Sequence, residues 1–405
     1  MVTPAIFSIS SFGEKWVMKG WNLNTGSMLS EYTGDYEKNE KHYLSVSNGC
    51  ILEASRGKPT INVWYMNRYN KDLTGRIVAP GRINAFDATN DHKYICFSID
   101  KTVYLYQAQS GNLSVIDYHF QTVSVVKFSN DGRTIACGGE DGFLSVWNLG
   151  NILCGNTKEP QKLFTDHCLQ INDIVFSSGV HRPWIVSISL DRTAKVYDLS
   201  SGNLLISILF DFTLTCILIS KNNSELYIGQ NNGDIYQINF NDIPEIKECH
   251  LNDMKSFEKF LGHTDIITSM SITQDSLNLI SGSKDTTIRI WNTLSKHCIK
   301  IIQEKGEVKN VFFTYISSLI FLNDYKPKFL FKPIKLQNNF KNKLIHVENN
   351  NKKLKILLNN QFNFENIDDN LNDNENFENI ENLKYVNKFL YELCLKNYNF
   401  RISKY

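Results

Sequence analysis

A closed ring of seven four-stranded β-units is the fold this sequence predicts, an all-β architecture followed by a polar linker and one helix. Three observations carry that expectation. Aromatic residues recur at positions 21, 64, 106, 147, 197, 236 and 291, at intervals of 43, 42, 41, 50, 39 and 55 residues. Strand-like runs alternate apolar and polar side chains, as in Val123-Ser-Val-Val-Lys-Phe-Ser129. Between them, Gly, Asn, Ser and Asp mark turns, as in Ser281-Gly-Ser-Lys-Asp285. A four-stranded sheet cannot bury both of its faces alone, whereas seven arranged about an axis cover one another and leave short edges.

The elements follow in chain order. Ala5–Ser10 and Trp16–Leu23 read as the second and third strands of a unit whose first strand is missing. Weak copies end at Trp64 and at Tyr106. Stronger ones run from His119 through Asp141 to Trp147, and from His167 through Ser187 and Asp191 to Tyr197. Residues 151–166, with Pro160, explain the first long interval. A sixth copy ends at Tyr236, and a polar insertion at 241–260 with Pro244 explains the second. The clearest copy holds His263, Ser281, Asp285 and Trp291. Glu307–Phe313 then reads as a first strand without a successor. Pairing it with Ala5–Ser10 closes the ring and removes two exposed edges. The expected propeller spans residues 1–322.

Composition agrees with a globular protein. Of 405 residues, 42% are hydrophobic and 21% charged, and 43 basic against 42 acidic side chains give a net charge of +1. No global field pulls the chain toward nucleic acid or membrane. The start lacks a signal-peptide pattern, and the longest uncharged run near the end, Val311–Leu322, falls well short of the roughly 20 residues of a membrane span. Nine cysteines without a C-x-x-C read as reduced thiols of the nucleus or cytosol.

The Gly-His start, Ser-Gly-Ser-x-Asp turn and terminal Trp-Asn of the last copy closely resemble the WD repeat, so the fold is expected to be a WD40 propeller. In that family His, Ser, Asp and Trp form a buried hydrogen-bonded tetrad. The resemblance implies one complete set at His263, Ser281, Asp285 and Trp291. A second set (His119, Asp141, Trp147) has Cys137 in place of the hydroxyl. A third (His167, Ser187, Asp191) has Tyr197 in place of Trp. The other four blades are expected to rely on apolar packing. A catalytic Ser-His-Asp triad is the rival reading, but a constellation repeated three times at repeat spacing stabilises a fold rather than forming one active site.

Past the ring the composition shifts. Residues 338–405 contain 19 Asn, against 27 in the preceding 337 residues. Between Lys355 and Lys384 every charged residue is acidic. Residues 323–380 are therefore expected to be an extended segment and flexible linker, a solvated spacer or an acidic dock for a basic partner. Within 381–402, Leu383, Val386, Leu390, Leu393, Asn397 and Phe400 form an a/d seam. An Asn at an a position favours a dimer. Self-pairing, partner binding or packing back on the ring all fit this helix.

Motifs for nucleotide, dinucleotide, zinc-protease or serine-hydrolase chemistry are absent from the sequence. Cys249-His250 and His297-Cys298 each lack the second ligand pair of a zinc site. No cofactor or metal is implied. Arg56, Lys58, Arg68, Lys71, Arg76 and Arg82, with Trp64, Tyr65 and Tyr69 among them, make the second blade locally basic. They read as an RNA-facing patch or a solvated face.

The order of the repeats adds a closer resemblance. Ser201–Asp211 after the fifth repeat, Gly233–Ile238, Gly262–Lys300 with Lys305-Gly306 and Val308, and Asn323-Asp-Tyr-Lys-Pro327 are similar to segments of the WD repeat-containing protein 18 family. That family is the WD-repeat subunit of a nucleolar and nucleoplasmic complex maturing the large ribosomal subunit precursor. The resemblance implies a non-catalytic scaffold that grips a helical-repeat subunit and pairs with a second copy through its terminal helix. It further implies an indirect link to a midasin-type AAA ATPase and the pre-60S particle. The Asn-rich linker departs from the family. A generic adaptor, such as a ubiquitin-ligase substrate receptor, would use the same fold. A propeller enzyme would need acidic or histidine residues converging on the axis; the repeat-by-repeat loss of such residues argues against it, and a channel lined by hydrophobic or uncharged side chains would settle it.

Overall fold

The computed structural model describes residues 2–12, 15–35, 41–47, 49–66, 75–155, 157–178, 183–240, 248–251 and 257–317, together with 331 and 334. Within them the chain is a seven-bladed propeller, each blade an antiparallel meander. Blade 1 joins both ends of the ring: Val308–Ser317 is its inner strand, followed by Val2–Phe12, Lys15–Asn22 and Met28–Asp35. The register of the junction sets Ile6 opposite Phe313 and Ser8 opposite Val311. Blades 2 to 7 start at His42, Ala85, Val123, Ile171, Leu214 and Ile267. Their first strands touch in a closed circuit and surround the axis.

Apolar side chains fill the spaces between blades, as where Val186, Val196 and Ile206 of blade 5 meet Ile217, Ile228 and Ile238 of blade 6. Gly282 shows how close the sheets come. A Cβ there would lie 2.6 Å from Val311 Cγ2 and 2.7 Å from Val308 Cγ1, so only glycine lets blade 1 dock on blade 7.

Register confirms six aromatic anchors and corrects one. Trp21, Trp64, Tyr106, Trp147, Tyr197 and Trp291 sit opposite Ile6, Ile51, Ile95, Ile135, Ile185 and Leu279. In blade 6 the equivalent place, opposite Leu226, belongs to Ile238, and Tyr236 lies two residues earlier opposite Ile228. Both residues lie on the same face of the strand, so the alternation pattern alone does not separate them.

The second insertion also does more than lengthen a loop. Glu248–His250 pairs in parallel with Leu204–Leu209 and gives blade 5 a fifth strand, covering an edge that would otherwise be open. Cys249 and His250 therefore lie in a strand rather than a loop. Phe331 and Ile334, like Tyr43, Ile99 and Tyr104, pack against the buried core of blades 2 and 3. They belong to a compact unit running from Met1 to Gln337; Asn338–Tyr405 form a second. The helix seam at Leu383, Val386, Leu390, Leu393, Asn397 and Phe400 lies outside the described residues, as do Arg68 and Lys71. No helix among the described residues is long and apolar enough to cross a membrane. The eight described cysteines are free thiols, and burial pushes Cys50, Cys137 and Cys216 up to about 12, leaving them protonated.

Candidate interaction face

Blade 7 contains the full tetrad. His263 Nδ1 is 2.7 Å from Asp285 Oδ2, and Nε2 is 2.7 Å from Ser281 Oγ, which accepts the Trp291 indole N–H at 2.8 Å. Each donor finds an acceptor if Nδ1 carries the proton and Nε2 accepts the Ser281 hydroxyl. Burial lowers the pKa of His263 despite Asp285, which keeps the ring in that neutral form. In blade 5, His167 bonds Asp191 at 3.0 Å and Ser187 at 2.7 Å, and Tyr197 occupies the Trp place. Ser187 and Ser281 are fully buried, so neither is a nucleophile that a substrate can reach.

Blade 4 corrects the sequence reading. Cys137 is not a gap in the network, because Ser145 provides the hydroxyl from the neighbouring strand. Its Oγ lies 2.8 Å from His119 Nε2 and accepts the Trp147 N–H at 3.0 Å. Asp141 is 3.6 Å from His119 Nδ1, looser than its counterparts. The signal was in the sequence. Positions facing the tetrad serine across the ladder hold Lys195 in blade 5 and Arg289 in blade 7, but Ser145 here.

Two of the four blades expected to rely on apolar packing also hold polar networks. In blade 1, Glu304 stands four residues before its inner strand, as His263 does in blade 7. Its carboxylate accepts from Ser8 at 3.0 Å, Ser10 at 3.2 Å, Lys19 at 2.6 Å and the Trp21 N–H at 3.2 Å. In blade 2, buried Glu53 takes the serine place. It lies 3.1 Å from His42 Nδ1 and accepts from Ser55 at 2.8 Å and Asn62 at 2.6 Å. Motif matching misses both, because a carboxylate has replaced the imidazole or the hydroxyl.

Charged side chains occur at the axis, so the hydrophobic or uncharged lining that would settle the case against an enzyme is not found. Asp87, Lys127, Asp173 and Lys41 come from the first strands of blades 3, 4 and 5 and the entry to blade 2, and they influence one another electrostatically. Burial opposes the charge on Lys127, but Asp173 and Asp87 outweigh it and raise its pKa. The carboxylates tie blades together: Asp87 accepts the Phe128 N–H at 2.7 Å and Asp173 the Ile217 N–H at 3.2 Å. Thr268 extends this girdle to Val308 O at 2.8 Å, and Asn310 to His42 O at 2.8 Å.

The loops entering each blade and the turns joining its second and third strands share one face, tied by backbone hydrogen bonds such as Glu140 N to Thr122 O and Lys284 N to Ile266 O. Its loops around blades 4 to 7 expose Phe120 (79%), Leu261 (68%), Leu169 and Phe212 (both 51%). The basic patch is split. Arg56, Lys58 and Arg82 lie in loops on this face, whereas Arg76 is on the outer strand of blade 2. Trp64 is buried and offers no stacking surface. Among the described residues, no group of three or more His, Cys, Asp or Glu could hold a metal ion.

Comparison with known proteins places this architecture. The WD domain, G-beta repeat family matches residues 111–148 and 254–292. WD repeat-containing protein 18 of Danio rerio is 31% identical over 328 residues, which cover 80% of this chain and 75% of that protein. The chain belongs to the WD repeat-containing protein 18 family. The Homo sapiens family member is 29% identical over 318 residues, 77% of this chain and 73% of its own. Pre-rRNA-processing protein pro-1 of Caenorhabditis elegans is 25% identical over 305 residues, covering 73% of this chain and 56% of that protein. Compared with the tetrad of blade 7, Ser145, Glu53 and Glu304 satisfy buried polar groups of blades 4, 2 and 1 by other chemistry.

Proposed function

We propose that this chain is a non-catalytic scaffold in large ribosomal subunit assembly, acting in the nucleus and supporting processing of the pre-rRNA internal spacer. The apolar arc over blades 4 to 7 carries the reading. Four large apolar side chains presented by loops of one rigid face are the anchors that a protein partner buries. The partner proposed is a helical-repeat scaffold subunit, through which a midasin-type ATPase and the pre-60S particle are engaged indirectly. The terminal a/d helix pairs with a second copy. The lack of catalysis rests on two features: the tetrad serines are sealed from solvent, and the axial carboxylates are engaged by backbone N–H groups.

The test is Phe120→Glu with Phe212→Glu in the full-length protein. Loss of the co-purifying helical-repeat subunit, with accumulation of unprocessed spacer and an unchanged melting temperature, is expected. Retained partner and normal spacer processing would overturn the reading.

A further inference from the structure

We infer that the loops of blades 2 and 3 on the same face form a cradle for an RNA phosphate backbone, built from Lys41, Arg56, Lys58 and Arg82. This rests on the reading of the chain as a pre-rRNA maturation factor and names the ligand of a second part of its face.

Three loops hold these residues together. Arg56 N donates to Lys41 O at 2.8 Å, Gly57 N to Ile83 O at 2.7 Å, and Ile83 N to Lys58 O at 3.1 Å. The four cationic residues therefore rise from adjoining, mutually bonded backbone. Among the described residues, Lys41, Arg56 and Arg82 make no ion pair. Asp173, the acid that acts on Lys41, also accepts the Ile217 N–H at 3.2 Å, while Glu53 is engaged with His42, Ser55 and Asn62, and Asp87 with the Phe128 amide. Burial lowers the pKa of Lys41, with Asp173 opposing and Arg56 and Lys127 acting in the same sense as burial.

The surroundings favour RNA over an acidic protein. The loops of blades 2 and 3 expose no large apolar side chain among the described residues; the apolar anchors of this face lie around blades 4 to 7. A protein partner needs such anchors, whereas a phosphate backbone is held by charge and guanidinium forks. Among the described aromatic residues of this sector, Trp64 is buried and offers no ring face to bases. Binding is accordingly indifferent to sequence and steep in salt.

Fluorescence anisotropy of full-length protein with an unstructured RNA of about 20 nucleotides tests this, between about 50 and 200 mM salt. Arg56→Glu with Arg82→Glu should weaken binding at least about tenfold and flatten the log–log salt slope by about 1.4, since each phosphate contact on single strands contributes about 0.7. The exposed single variant Arg82→Glu keeps the test sound if the pair impairs folding, and Phe120→Glu should leave RNA affinity unchanged. Equal affinity of wild type and Arg82→Glu overturns the inference, as does tighter binding of a Glu-rich peptide of equal charge. Pre-rRNA profiles separate the two claims. A spacer defect on depletion, with RNA binding indifferent to the variants, leaves the proposed function standing and removes the cradle. Variant-sensitive RNA binding with normal spacer processing on depletion does the reverse.

Discussion

Cys137 and Ser145 face each other across neighbouring strands of blade 4, and the hydroxyl missing from the first is supplied by the second. The two positions lie on the same side of the sheet, within reach of the same imidazole and indole. A network that needs one oxygen between His119 and Trp147 is satisfied from either strand.

Ser145→Ala should therefore cost about 1–3 kcal/mol, because it leaves the Trp147 N–H and His119 Nε2 buried without that partner. Adding Cys137→Ser to this variant should recover part of the loss by restoring the family's arrangement. Urea titration of the wild type, the single variant and the pair reads both effects. A pair no more stable than Ser145→Ala would show that the oxygen is not interchangeable between strands.

Glu304 locks the ring by gathering Ser8, Ser10, Lys19 and Trp21 from the first two strands of the chain. Glu304→Gln removes the counter-charge from Lys19, whose amine is nearly buried. Breaking such a pair costs about 3–5 kcal/mol. Amide exchange should rise first in Val2–Phe12 and Val308–Ser317, and Lys19→Met in the same chain should restore much of the protection. Uniform exchange across all blades would refute the local lock.

His92 gives a pH signature. It is buried against Ser45, with Nε2 and Oγ 2.9 Å apart, and burial lowers its pKa from 6.5 to about 4. The unfolded chain then takes up the proton first, so the stability contribution is complete above about pH 6.5 and is lost as pH falls toward 4. The loss is about 3 kcal/mol for this group. His119 and His263, also lowered chiefly by burial, act in the same direction. His92→Asn removes the titration and suits the residue's φ of 55°. Urea midpoints at pH 7.5 and 4.5 should lie closer together in this variant; an unchanged gap would assign the acid sensitivity elsewhere.

Truncation after Asn370 removes the a/d seam from Leu383 to Phe400. Light scattering should then report a monomer in place of a dimer, with the propeller's melting temperature unchanged. An unchanged mass would count against self-pairing through that helix.

The repeat was legible because it is local. Strand alternation, turn residues and a recurring aromatic are all written within one blade, and six of the seven anchors lie where their spacing put them. Blade 6 was misplaced by two residues because Tyr236 and Ile238 share a strand face and the sequence favoured the ring over the alkyl chain. The basic patch was legible as charge but not as a surface, since residues clustered in sequence divide between loop and outer strand.

By itself, then, the sequence determined the blade count, the turns, the complete tetrad of blade 7 and the family resemblance. Tertiary structure alone decided that Glu53 and Glu304 stand in for lost tetrad members, that charges of both signs meet at the axis, and that apolar and basic sectors divide one face. The reason is physical. Strand period and turn chemistry act between neighbours in the chain, whereas a buried donor is satisfied by whichever oxygen folding brings near, however distant in sequence.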